Sequence, residues 1–172
     1  MNEQTARLLL ELTARLERSV RARDCPAIIA IQGQRTLILS DYDYLQSEVA
    51  AAAFEHRAAA KAREIGARRW VLAVPQVWQI TAGVVSTRAV SNHPLRAGEQ
   101  EAITWVSFDA GDGVDYGRVA FTRRPDGEPV FADPEIFTPE ARARPAPSAP
   151  GYTLLRDLTG DDSQPGGMPP SR

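Results

Sequence analysis

At Arg69 the spacing of apolar residues changes from a helical repeat to a period of two, and this switch constrains the fold more than any other feature of the chain. Downstream, RWVLAV, VWQI after Pro75, GVVSTRAV, EAITWVSF, YGRVAFTR and EPVF each read as strands. Side chains of an extended chain point alternately to two faces, so a period of two lays one face on a core. No helical segment separates these runs. Strands that follow one another without crossover helices pair antiparallel, and a meander is expected. PDGE at 125–128 marks a tight turn, because proline presets φ and glycine accepts φ > 0. SNHPLRAGEQ, between Val90 and Glu101, is a longer loop.

Upstream of the switch the pattern is mostly helical. Leu9, Leu12, Leu16 and Val20 recur at three- and four-residue steps, widened by Leu8 and Leu10, and predict an amphipathic helix over residues 3–23. Pro26 ends that element, since the residue before a proline avoids helical geometry. AIIAIQ and RTLILS, joined through Gly33, predict a hairpin from Ala27 to Leu39. A second helix is expected over 42–65, capped by Ser40 or Asp41 and closed by Gly66. On it Leu45, Val49, Ala52, His56 and Ala59 share one face, while Phe54, Ala58 and Ile65 lie roughly opposite. A helix apolar on two sides is sandwiched between a sheet and a second helix or a second copy of the protein. Phe54, Ala58 and Ile65 are therefore the expected interaction residues, and a homodimer is the expected assembly.

Together these elements predict an α+β fold: a mostly antiparallel sheet, built from the N-terminal hairpin and the C-terminal meander, packed on two helices. Residues 1–138 read as a single domain. From 139 to 172 the composition shifts to a proline-rich linker and a tail expected to lack order, interrupted by YTLLRDL, an apolar island at 152–158 that is expected to dock back.

Charge and composition narrow the functional classes. The formal net charge is −2, and from Glu99 to Glu135 nine Asp and Glu face three Arg. That acidic stretch disfavours a phosphate backbone and suits a basic partner or a cation. Lys61 is the only lysine among 20 basic residues, which we read as coding bias rather than as a binding signal. The N-terminal residues carry charges throughout their apolar positions, so neither a signal peptide nor a membrane span is expected, and a cytoplasmic location follows by default. With Cys25 as the sole cysteine, no internal disulfide or cysteine-based zinc cluster can form.

The loop SFDAGDGVDYGR brings Asp109, Asp112 and Asp115 together in sequence. Calcium loops place their ligands at alternate positions, whereas the spacing here is three and three. Asp and Gly are also the residues that turn a chain from one antiparallel strand to the next, and this is the reading adopted. A metal site of Asp109, Asp112 and Asp115, or an acid/base role for Asp109 or Asp115, is the alternative.

His93, in a loop with Glu99 and Glu101 nearby in sequence, is the other catalytic candidate, as a general base or a zinc ligand. The two candidate loops flank one strand, Glu101 to Phe108, and a straight strand of that length holds them roughly 25 Å apart. His56 reads as a partly buried structural histidine. Cys25 follows the negative end of a helix, which raises a thiol pKa, and reads as a small buried side chain. No phosphate-binding glycine loop, nucleophile elbow or HExxH pattern is present, and no cofactor is implied. Trp70, Trp78 and Trp105 fall on strands, as packing residues rather than a base-stacking platform. The expectation is a non-catalytic protein-interaction or regulatory module with a protein partner or a second copy, and with no nucleic acid or membrane. The alternative is a small-molecule or divalent-metal-dependent enzyme using loop Asp and His residues.

Overall fold

The computed structural model describes residues 1–81, 84–91, 93–137 and 149–160. Helix α1, Glu3–Arg21, is capped by Asn2, whose side-chain oxygen accepts the Thr5 N–H at 2.9 Å. Leu8, Leu9, Leu12, Leu16 and Val20 are buried. Leu10, expected to widen that stripe, is exposed, because its position points away from the sheet. Strands β1, Ala27–Gln32, and β2, Thr36–Asp41, form the expected hairpin.

Helix α2 spans Glu48–Glu64 and starts later than expected. Asp41 is still paired with Ala27 in the hairpin, and its carboxylate accepts the Asp43 N–H at 2.8 Å. Residues 42–46 turn, and Ser47 is the cap, accepting the Ala50 N–H at 3.1 Å. Gly66 closes the helix at φ 59°, where a side chain would be strained.

Strand β3, Arg69–Thr81, runs unbroken through Pro75, where two strands were expected. β1 pairs with residues 69–73 on one edge and β4, Val84–Ala89, with residues 76–81. Pro75 falls between them, where a missing N–H costs that edge no ladder bond. The other edge pairs along its length with β5, Glu99–Asp109, which pairs in turn with β6, Gly113–Arg123. β7, Pro129–Phe131, and β8, Glu135–Phe137, share the far edge of β6. β8 has no counterpart in the sequence reading, since three residues carry too little alternation to register. The result is an antiparallel eight-stranded sheet of order β2-β1-β3-β5-β6-β7, curled into a half-barrel, with β4 and β8 as added edges. Gly117 makes the curl at β6 feasible: a methyl group there would run into the Glu135 carbonyl oxygen and the Trp105 ring.

Alternation along the strands divides the core into two. Ile28, Ala30, Val71, Ala73, Ile103 and Trp105 pack against α1. Ile29, Ile31, Leu72, Val74 and Val106 face α2 and α3, Tyr152–Thr159. The apolar island at 152–158 is thus a third helix docked on α2, with Leu154 fully buried. The Glu55 carboxylate receives it, accepting the N–H groups of Gly151 at 2.8 Å and Leu154 at 3.0 Å and the Tyr44 hydroxyl at 2.5 Å. A carboxylate of one helix so caps the positive end of the next. His56 Nδ1 meets Asp157 at 2.5 Å, and Arg63 donates to the Asp157 carbonyl. The second neighbour of α2 is therefore a helix of the same chain. The linker and tail at 139–148 and 161–172 lie outside the described residues. Among the described residues no helix is long and apolar enough to cross a membrane.

Candidate functional site

The aspartate loop is the β5–β6 hairpin connection. Asp109 pairs with Gly113 across the ladder, leaving a short turn between them. The three carboxylates then diverge. Asp109 is buried and accepts bonds from the Thr5 hydroxyl at 3.1 Å, Arg69 Nε at 2.9 Å and the Gly111 N–H at 2.8 Å. Burial by itself would push this carboxyl up; the Gly111 N–H, Arg69, Asn2 and Thr5 together outweigh it and hold Asp109 well below the usual carboxylate range. Asp115 lies 3.2 Å from the amino group of Met1, and Asp112 is exposed. Among the described residues no group of three or more His, Cys, Asp or Glu is placed to hold a metal ion.

His93 is exposed beyond the opposite end of β5, so the structure keeps it apart from the aspartates. Its sequence neighbours Glu99 and Glu101 are each committed to an arginine. Arg88 grips both oxygens of Glu99 at 3.0 and 2.6 Å, and the Arg96 N–H adds a third bond at 2.8 Å. These bonds, the Arg88 guanidinium first, bring the Glu99 carboxyl down to about 2. Arg123 grips Glu101 in the same way, at 2.8 and 3.0 Å. Neither carboxylate is free to orient His93 as a base.

What His93 does join is a cleft of about 660 Å³ that also takes in Arg23, Cys25, Glu101 and Arg123. Beyond His93 with Glu101, nothing in the sequence brings these residues together, because the α1–β1 junction, the loop after β4 and the end of β6 meet only in the fold. Burial pushes the Cys25 thiol up; Arg123 pulls against it, and Asp24 and Glu101 add to it. A thiol held protonated is a poor nucleophile. A second cleft, between α1 and the β1–β2 turn, is lined by Arg7, Arg35, Arg68 and Arg69. Three of these are matched by carboxylates, as Arg7–Glu3, Arg35–Glu64 and Arg69–Asp109. Glu11 lines the same cleft and offsets the fourth, so it offers little net field to an anion.

The residues expected to form an interface lie inside the molecule. Phe54, Ala58 and Ile65 are buried against β1, β3 and α3, because the apolar face of α2 turns toward the sheet. Val49, placed on the opposing apolar face, is 80% exposed, and His56 is exposed too. The surface of interest is elsewhere. The face of the sheet covered by α2 and α3 continues past them onto the far half of β3. There Ile80 is 57% exposed and its β4 partner Val85 48%. Beside them Arg118 stands between two aromatic rings, 5.3 Å from the Trp78 centroid and 5.9 Å from that of Phe137. A bonded chain fixes the group: Trp78 Nε1 donates to Thr104 at 2.8 Å, Thr104 to Gln76 at 2.7 Å, and Arg118 Nε to Glu135 at 2.9 Å. A tryptophan followed by alternating apolar residues is a strand signal in any sequence. Only the helices' failure to reach it makes it a surface.

Compared with models of protein families, with curated proteins and with solved structures, the chain has no significant match in any of the three.

Proposed function

We propose that the protein is a non-catalytic, self-associating interaction module, and that a second copy docks on the uncovered end of the sheet through β4. The observation that carries this reading is an open strand edge beside an exposed apolar strip. Among the described residues β4 is hydrogen-bonded to β3 alone. Free edges are ordinarily guarded by lysine, proline or inward-pointing charge. The β4 sequence VVSTRA has no proline and no acidic residue, and its one charge, Arg88, is committed to Glu99. Antiparallel pairing of β4 with its own copy closes about a two-fold axis, so the surface is its own complement. It would set Val85 of β4 near its counterpart, with Ile80 one strand behind it on the same face.

Amide exchange measured at several protein concentrations tests this reading. Val85 and Thr87 amides are expected to gain protection as concentration rises, while those of β2, another edge strand, stay unchanged. Protection of β4 independent of concentration would contradict it.

A further inference from the structure

The cleft that gathers Arg23 and Arg123 has a chemical asymmetry that the self-association reading does not use. Arg123 is anchored: its Nε and one Nη hold the two oxygens of Glu101, and its other Nη donates to the Gly127 carbonyl at 3.2 Å. A guanidinium has five N–H groups. Three are taken, and two remain on a side chain that lines the cleft. Glu101 is 3% exposed, so its charge is spent on Arg123 and the pair is close to neutral.

Arg23 adds the charge that is not cancelled. It makes no ion pair among the described residues, and its guanidinium lies beside Gly127 at the rim of the same cleft. Its backbone is unusual as well. At φ 58° it is the only non-glycine residue with positive φ among the described residues, and it stands just beyond the Ala22 cap of α1, where glycine usually closes a helix. A side chain in this conformation costs free energy that glycine would not. Such a cost persists where the side chain has a use. The opposite wall, Val90 and Leu95, is apolar, and Leu95 is exposed.

We propose that this cleft binds a small organic carboxylate with an aliphatic body. The carboxylate sits between Arg23 and the two spare N–H groups of Arg123, and the aliphatic part lies along Val90 and Leu95. One uncancelled arginine matches one negative charge, and a planar carboxylate matches the fork geometry of a guanidinium.

The test is an amide-resolved NMR titration of the full chain with hexanoate, and in parallel with hexanol and inorganic phosphate. Hexanoate is expected to shift resonances at Arg23, Val90 and Leu95, with hexanol and phosphate each much weaker. Arg23→Gly is expected to weaken hexanoate binding by roughly tenfold or more, as loss of a charge-assisted bond does. The same variant is expected to melt at a higher temperature than the parent, because the left-handed position is relieved. No shift with hexanoate, equal shifts with hexanol or phosphate, or hexanoate binding unchanged in Arg23→Gly would each overturn the proposal.

Discussion

The carboxylate of Glu55, in the middle of α2, accepts the backbone N–H of Leu154 in the first turn of α3 at 3.0 Å. A buried acid thus anchors a helix that is nearly a hundred residues away in sequence. Removing that acid leaves the first amides of α3 and the Tyr44 hydroxyl without their acceptor. Glu55→Ala is expected to lower unfolding free energy by about 2–3 kcal/mol, the worth of hydrogen bonds to a charged group. Leu154→Ala leaves a cavity and is expected to cost about 2–4 kcal/mol. Urea titrations measure both. Amide exchange in α3 should accelerate more in Glu55→Ala than in the parent, with α1 unaffected.

Asp109 and Glu99 make the fold sensitive to acid. Both carboxyls titrate below their ordinary values in the fold, 3.8 for Asp109 and 4.5 for Glu99. The unfolded chain therefore takes up protons first as pH falls. Their contribution is complete above about 4.5 and is lost as pH drops toward about 2, where folded Glu99 also protonates. Denaturation midpoints are expected to be flat from neutral pH to about 5 and to fall steadily below that. Asp109→Asn should cost about 2–3 kcal/mol at neutral pH by leaving Arg69 unpaired, and should flatten the acid slope. Asp112→Asn should change neither.

Cys25 offers a check on the cleft's electrostatics. Its thiol is pushed up by burial, so its reaction with a neutral disulfide reagent at neutral pH should be slower than that of free cysteine. It should quicken in denaturant. Reaction faster than free cysteine would mean that Arg123 outweighs burial.

Gly117 tests the curl of the sheet. Its missing side chain leaves room for the Trp105 ring and for β8. Gly117→Ala forces one of them to move and is expected to cost about 1–3 kcal/mol. Trp105 fluorescence and a urea titration report it together.

Periodicity made α1 and the strands other than β8 legible in the sequence, because each carries its own local recurrence of apolar residues. The start of α2 was not legible, because Asp41 and Ser47 are both good caps and only pairing of Asp41 with Ala27 decides between them. The buried side of α2 was misjudged for a related reason. Alanine is apolar at any position, so an alanine-rich helix looks two-faced when its buried residues are Phe54, Glu55, Ala58, Ala59 and Ala62. The cleft was harder still. Arg23, His93, Glu101 and Arg123 lie on four separate segments, and their meeting is a property of the half-barrel. One sequence cue existed: RARDCP closes a helix with an arginine where glycine is the cheaper residue.

Sedimentation velocity over a wide concentration range, on the parent chain and on Val85→Lys, decides whether β4 pairs with its own copy. Val85 is half exposed, so a lysine there leaves the monomer's core intact while placing charge on the β4 strip. The parent is expected to shift from monomer to dimer as concentration rises, and Val85→Lys to remain monomeric with an unchanged circular dichroism spectrum. A parent that stays monomeric throughout, or a Val85→Lys protein that dimerises as the parent does, would contradict that pairing.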